Sequence, residues 1–252
     1  MKIELAVSCV WFQRRLCFQL SSVLQQIGDR PEIVVNVAYP PQNGSPTTEE
    51  VCSYFSNLCR FQTGLQLKET MVEGDDIKFR GIVRNRQLAE SDADWILFAD
   101  VDMVYAPDFF EDLAKQLTGP FKDETRCLSA SRTSLAKDFC KDFFNKGHGS
   151  TVPYPCEIAD VAQTIADWPR YKERTRNVGA GYFQLANVQN LRNNHGGLYW
   201  KPDARRDPSW GYRSDRQFRR MLGGISSIET KPQYHLNHER DSEEGQHVEV
   251  QR

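Results

Sequence analysis

The run Trp95-Ile96-Leu97-Phe98-Ala99-Asp100-Val101-Asp102-Met103 decides how the rest of the chain is read. Its apolar part is bounded by Asp92 and Asp94 on one side and Asp100 on the other. That is too short for a helix, which needs about ten or more patterned residues, and it fits a buried strand. Asp100 and Asp102 then stand at the carboxyl end of the strand. In an open α/β sheet the ligand crevice lies just outside such ends, and hard oxygen donors there suit Mg²⁺, Mn²⁺ or a sugar hydroxyl. The bare Asp-x-Asp pattern equally fits a helix-capping acid beside a solvated one.

Upstream of this run, strand-like and helix-like segments alternate. Ile3 to Val10 reads as a strand, and Arg14 to Ile27 as an amphipathic helix with Leu16, Leu20, Val23, Leu24 and Ile27 on one stripe, ended by Gly28. Glu32 to Ala38 is a second strand. Thr47-Thr48-Glu49-Glu50 offers a capping box for a helix to about Arg60. Leu65 to Val72 is a third strand, and a helix from Arg80 to Ser91 leads into Trp95. Pro107 opens a further helix in its first turn, where a missing N–H costs nothing. The β-α-β-α-β-α-β order predicts an α/β fold with a mostly parallel, doubly wound sheet flanked by helices.

Beyond Asp102 the pattern loosens, as for a region shaped around a second substrate. Cys127 to Arg132 reads as a strand, 145–155 as a Gly/Pro-rich loop and 157–168 as a helix. Gly179 to Leu185 reads as a strand whose mouth is lined by glycines, Gly181 among them, which permit either a ligand or a neighbouring strand to come close. There is no repeat and no heptad run, and the polar tail past Gln246 is expected to fray.

Composition excludes several classes. The chain has 252 residues, is 39% hydrophobic and carries a net charge of −2, so a purely electrostatic nucleic-acid or membrane binder is not expected. The first apolar stretch is too short for a signal peptide or a membrane span. Seven cysteines, odd in number and without Cys-x-x-Cys, read as reduced hydrophobes and point to a cytoplasmic protein. Two segments are locally basic: 170–176 and 201–220, the latter with seven cations against three acids. Such clusters are commonly solvated faces; if they converge, they favour an anionic acceptor.

Phe98 to Met103, the upstream Arg80-Gly81-Ile82-Val83-Arg84-Asn85, and the downstream His238-Glu239-Arg240-Asp241 together resemble the metal-dependent GT-A glycosyltransferases. The likeness is greatest to the β-1,4-galactosyltransferase catalytic domain, with a wider kinship to family 2 enzymes, and runs from Trp11-Phe12-Gln13-Arg14-Arg15 to Arg240. It implies a GT-A (Rossmann-like) sheet with an acceptor-binding C-terminal half. Residues 1–106 would be the nucleotide-sugar-binding half, 107–246 the acceptor-binding and catalytic half of the same domain, and 247–252 a tail.

Carried over by residue, the resemblance makes Asp102, His235 and His238 ligands of Mn²⁺ (or Mg²⁺), with two imidazoles favouring Mn²⁺. It gives Phe12, Arg15, Arg80, Arg84, Asp100, Val101 and Gly181 to a nucleotide-diphospho-sugar donor, UDP favoured. The two histidines also fit a polar surface strand end. An inverting transfer needs a carboxylate to take the acceptor proton, and Asp215 in Trp210-Gly211-Tyr212-Arg213-Ser214-Asp215 stands where the family has its Trp-Gly stretch ending in acids. Here Ser214 replaces the first acid and Arg216 follows. Asp215 could alternatively be a helix-terminal acid paired with Arg219. The acceptor would be a glycan or an anionic polymer, hydroxymethylated viral DNA included. The rivals are a non-catalytic nucleotide-sugar or glycan-binding module and a nucleotidyltransferase.

Overall fold

The computed structural model describes residues 1–10, 12–41, 47–135, 172–176, 182–200 and 211–236. Its strands are β1 (Lys2–Ser8), β2 (Glu32–Tyr39), β3 (Leu65–Met71), β4 (Trp95–Ala99), β5 (Met103–Tyr105), β6 (Cys127–Ser129), β7 (Arg132–Leu135), β8 (Lys172–Arg176), β9 (Phe183–Asn187), β10 (Ile225–Ser227) and β11 (Gln233–His235). The helices are α1 (Gln13–Leu24), α2 (Thr48–Cys59), α3 (Arg80–Glu90), α4 (Phe109–Thr118), α5 (Val188–His195) and α6 (Gly211–Met221).

Seven strands form one sheet in the order β10-β6-β9-β4-β1-β2-β3. The segment β3-β2-β1-β4 is parallel throughout, as the alternating helices require, and β9 runs antiparallel to both β4 and β6. Because the chain leaves β1 toward β2 on one side and later returns as β4 on the other, the strand order reverses at β1/β4. A crevice opens at such a switch point.

Both faces of the central strands β1, β2 and β4 are buried, which explains why they read as near-continuous apolar runs. Leu5, Val7, Val35, Val37, Leu97 and Ala99 pack beneath α1, α2 and α4. Ala6, Ile96 and Phe98 point to the other face, against Leu88 of α3, Leu191 of α5 and Phe218 of α6. The start of α2 carries the expected capping box: Thr47 Oγ1 accepts from the Glu50 N–H at 3.1 Å, and the Thr47 N–H donates to Glu50 Oε2 at 2.7 Å.

Several elements differ from the sequence reading. Helix α1 ends at Leu24, because Gln26 turns its carboxamide back onto the carbonyls of Ser22 and Ala106, and Ile27 is exposed instead of lying on the buried stripe. Pro107 lies ahead of α4, outside its first turn, where its carbonyl accepts from the Ile27 N–H. The single strand expected over 127–132 is two strands in different sheets. β5, β10, β11 and α5 were not foreseen, the three strands being too short to show a period. Segments 145–155 and 157–168 lie outside the described residues. No helix among the described residues is long and apolar enough to cross a membrane.

The second sheet, β5-β11-β7-β8, has four strands. β5 follows Asp102 directly and pairs antiparallel with β11, placing His235 opposite Met103. β11 in turn runs parallel to β7. This small sheet holds the chain beyond β4 against the C-terminal edge of the large one.

One buried carboxyl lies inside the large sheet. Glu4 accepts from Asn36 Nδ2 at 2.8 Å, and Asn36 in turn accepts from the Thr70 hydroxyl at 2.9 Å. Burial pushes the Glu4 pKa up, outweighing the opposing hydrogen bonds from Ser91 and Asn36. An acid whose folded pKa exceeds its unfolded one costs stability as pH rises from the ordinary carboxyl value through the raised one, and no further above it. Glu4→Gln should therefore raise the melting temperature at neutral pH, each kcal/mol gained adding about 2–4 °C. The gain should vanish in acid; melting curves at both pH values check this, and an equal gain in acid would contradict it.

Candidate active site

The site is built at the C-terminal ends of β1 and β4 by four elements. Helix α1 starts just after β1, with Phe12 at its N-cap and Arg15, buried, over the Phe12 ring at 4.9 Å. One turn further on, Gln19 Nε2 donates to the backbone carbonyl of Asp100 at 2.9 Å, tying α1 to the end of β4. Val101 puts its side chain into the core, while Asp100 stays half-buried.

Asp102 and His235 are brought together by the β5/β11 register. The Leu236 N–H donates to the Asp102 carbonyl at 2.8 Å, and Asp102 Oδ2 lies 3.0 Å from His235 Nε2. Both side chains are largely buried. A carboxylate oxygen and an imidazole nitrogen at this spacing match neighbouring corners of an octahedron with metal–ligand distances of about 2.1 Å, so the pair fits a divalent cation. Among the described residues no group of three or more His, Cys, Asp or Glu is arranged around one point. The expected third ligand, His238, and the donor-site Gly181 lie outside the described residues.

Helix α3 explains the motif Arg80-Gly81-Ile82-Val83-Arg84-Asn85. Residues 80, 81, 84 and 85 occupy two adjacent rows on one side of a helix, and all four serve the site. Arg80 lies between two acids, with Nη2 3.5 Å from Asp100 Oδ1 and Nη1 3.3 Å from Asp215 Oδ2. Its side chain is 40% exposed. Gly81 is the seat of Trp200: a Cβ at Gly81 would lie 2.8 Å from Trp200 Cγ. Asn85 accepts the N–H groups of Tyr199 and Trp200 at 2.8 and 3.0 Å and donates to the Trp200 carbonyl at 2.7 Å. It thus holds the 199–200 segment to the helix much as a neighbouring strand would.

Arg84 is almost wholly buried, with 3% of its side chain exposed. Its Nη1 donates to Asp215 Oδ1 at 2.9 Å, to Gln184 Oε1 at 2.9 Å and to the Tyr199 hydroxyl. The guanidinium lies over the rings of Tyr199 and Phe98, at 4.9 and 5.3 Å. Beneath it, Tyr199 stacks on Phe218 with centroids 4.2 Å apart, and Phe98 meets both rings edge-on. The positive charge of Arg84 is thus met by buried partners alone, whereas Arg80, paired with Asp100 and Asp215, stays half-exposed.

Asp215 lies on the inner stripe of α6 with Ser214 and Phe218, while Arg216 and Arg220 are exposed. It is not a solvated helix-terminal acid paired with Arg219, whose Nε donates to the Asp215 backbone carbonyl at 3.1 Å. Burial pushes the Asp215 pKa up, but Arg84, Arg80 and the Tyr199 hydroxyl together outweigh it and hold the carboxyl below its ordinary value. The reciprocal effect of Asp100 and Asp215 raises the pKa of Arg80. The crevice therefore has a cation standing between two carboxylates, beside an Asp–His pair. Gln184, Tyr199 and Trp200 were missed in the sequence, where an isolated Gln, Tyr or Trp carries no signal.

No protein-family model matches the sequence, and no curated protein matches it. Solved structures do match in shape. The chain superposes on S. aureus TarS 1-349 in complex with UDP-GlcNAc with a TM-score of 0.58 at 17% identity, over 95% of this chain and 59% of that one. 

It also superposes on the mannosyltransferase PcManGT from Pyrobaculum calidifontis in complex with GDP-Man and Mn²⁺, with a TM-score of 0.55 at 15% identity, over 98% of this chain and 61% of that one. The chain has the GT-A fold. It spans about three fifths of the length of these two structures and 38% of a longer TarS chain. The likeness is one of shape, without a match in sequence.

The packing of Trp200 on Gly81 gives a direct check on this architecture. Gly81→Ala forces the indole or the helix to shift, at a cost of about 1–3 kcal/mol. Tryptophan fluorescence should change and the denaturation midpoint should fall, whereas Arg86→Ala on the exposed face of the same helix should leave the fluorescence unchanged. Unaltered fluorescence in Gly81→Ala would remove Trp200 from this seat.

Proposed function

We propose that the chain is a metal-dependent, inverting glycosyltransferase that moves a sugar from a nucleotide-diphospho-sugar, with UDP the favoured nucleotide, to an acceptor hydroxyl. The observation that carries this reading is the gathering of Asp100, the Asp102–His235 pair, Arg80 and Asp215 around one crevice at the β1/β4 switch point. UDP-GlcNAc, GDP-Man and Mn²⁺ are bound by structures of the same shape.

In this reading Phe12 and Arg15 border the nucleotide and Asp100 holds the ribose or the sugar. Arg80, half-exposed and cationic, meets the diphosphate. Asp102 and His235, with His238, would hold Mn²⁺, which when bound neutralises charge on the departing diphosphate. Asp215 receives the proton of the acceptor hydroxyl as its oxygen bonds to the anomeric carbon. The bond from that carbon to phosphate breaks, and the nucleoside diphosphate leaves with the electron pair. Arg216 and Arg220, exposed on α6 beside Asp215, favour an anionic polymer as acceptor. The free thiols at Cys9, Cys17, Cys52, Cys59 and Cys127 suit a reducing cytoplasm.

Thermal-shift measurements with UDP-GlcNAc and GDP-mannose, with and without Mn²⁺, test donor binding. Asp102→Ala should abolish the Mn²⁺-dependent shift. A base is needed in the transition state but not to hold the donor, so Asp215→Asn should keep donor affinity and lose about 10²–10⁴ in turnover. A wild-type protein that binds donor yet never transfers or hydrolyses it would instead be a binding module. Undiminished turnover in Asp215→Asn would place the base elsewhere.

A further inference from the structure

The two oxygens of Asp215 have unlike surroundings. Oδ1 is gripped from inside: Arg84 Nη1 lies at 2.9 Å and the Tyr199 hydroxyl at 2.6 Å, both in buried positions. Oδ2 faces Arg80, whose contact is longer, at 3.3 Å, and whose guanidinium is shared with Asp100 at 3.5 Å. Arg80 is the exposed partner and Arg84 the buried one. Either the diphosphate of a donor or the anionic crevice can therefore draw Arg80, whereas nothing that enters can displace Arg84 without opening the core.

The Tyr199 oxygen lies 2.6 Å from Gln184 Oε1 as well as from Asp215 Oδ1, and a phenol has one hydrogen to give. The carboxylate is the stronger acceptor, because charge-assisted hydrogen bonds exceed neutral ones. Gln184 Oε1 receives its hydrogen bond from Arg84. The amide nitrogen of Gln184 donates to the Asp215 backbone carbonyl at 3.2 Å, so side chain and main chain of Asp215 are held from the same residue cluster.

We infer that Tyr199 and Arg84 are positioning residues that fix Asp215 by Oδ1, and that Oδ2 is the reacting oxygen, covered by Arg80 until the diphosphate of a bound donor draws that guanidinium away. This rests on the glycosyl-transfer reading above. With Arg80 gone, one of the charges that depress the Asp215 pKa is gone too, so the carboxylate becomes more basic when the donor is in place. Removing Arg80 also uncovers Oδ2 toward the crevice. The proton of the acceptor, or of water, then passes to Oδ2 as the acceptor oxygen bonds to the anomeric carbon and the nucleoside diphosphate departs with the electrons of the broken bond; Oδ2 afterwards gives the proton to solvent.

Among the described residues the charged and titratable groups around Asp215 are few. Arg80 and Arg84 face it from α3, Tyr199 from the segment before α6, Arg219 from its own helix, and the Cys127 thiol, pushed up to about 12 by burial, from β6. Asp100 stands behind Arg80. The Tyr199 hydroxyl touches the Asp215 carboxylate directly, so an acid limb that moves with Tyr199 reports on Asp215.

The test is Mn²⁺-dependent release of nucleoside diphosphate from UDP-GlcNAc and from GDP-mannose, with water as acceptor, followed across the acid range. Tyr199→Phe removes a donor that favours the carboxylate form. Its acid limb should move to higher pH and kcat should fall roughly 10- to 100-fold, the scale on which orienting partners act, with donor KM unchanged. Arg80→Gln, at an exposed position that does not threaten the fold, should raise donor KM while leaving the acid limb at saturating donor in place, because the wild-type Arg80 has already left Asp215 there. An unmoved acid limb in Tyr199→Phe, or a shifted one in Arg80→Gln at saturating donor, overturns the inference while leaving glycosyl transfer intact. Absence of release by the wild-type protein with either donor overturns both.

Discussion

The buried ion pair between Arg84 and Asp215 is the constraint on which the site depends. It joins residues 131 apart in sequence at 2.9 Å. Two charges taken out of water need every remaining donor and acceptor met, and removing one partner of such a pair typically costs about 3–5 kcal/mol. Here the guanidinium is met by Gln184 and Tyr199 as well as by Asp215, and its faces lie over Phe98 and Tyr199. α3, β9, the 199–200 segment and α6 are thereby fixed to one another by a single polar knot seated on an aromatic floor. Moving any one of them exposes a charge to an apolar surrounding.

The small sheet does a different task. It gives Asp102 a fixed neighbour by pairing the strand after it with the strand that carries His235. The two donors are set by backbone register and are thus less dependent on side-chain flexibility than a pair on facing loops. The large sheet supplies the floor, with Gln19 of α1 anchoring the Asp100 carbonyl. The Asp102–His235 pair and Asp215 are in this way held by separate frameworks that meet at the end of β4.

Much of the fold was legible because the first hundred or so residues obey two periods. The apolar run ending at Asp100 reads as a buried strand, and the stripe on α1 reads as a helix over it. The capping box at Thr47 was visible because its two partners are three residues apart. Of the later strands, β5, β10 and β11 were not, since they have three residues each, too few to show alternation. Site residues supplied by local motifs, Asp100, Asp102, Arg80 and Arg84, stood out. Asp215 was visible only beside a Trp-Gly stretch, and its burial under two arginines was not, because nothing in the local sequence tells which distant cation will reach it. Tyr199 and Gln184 were silent for the same reason. Arg84 shows the limit most clearly: the sequence offers two similar arginines one helical turn apart, and only packing separates the one that is sealed in from the one that faces the crevice.

The pairing of β5 with β11 also governs when the site can come into being. Asp102 emerges from synthesis early, already close to the strand that orients it, but His235 and the strand that carries it come near the end of the described chain. Long-range strand pairing closes a large loop and is slow compared with the local βα units that precede it. A nascent chain can therefore complete the parallel half of its sheet, with a crevice already outlined, while Asp102 and His235 are still apart. The meeting of Asp102 with His235 is therefore a late folding event and not a property of the first half, and on the proposed function an incompletely folded chain would lack the pair that is to hold the metal.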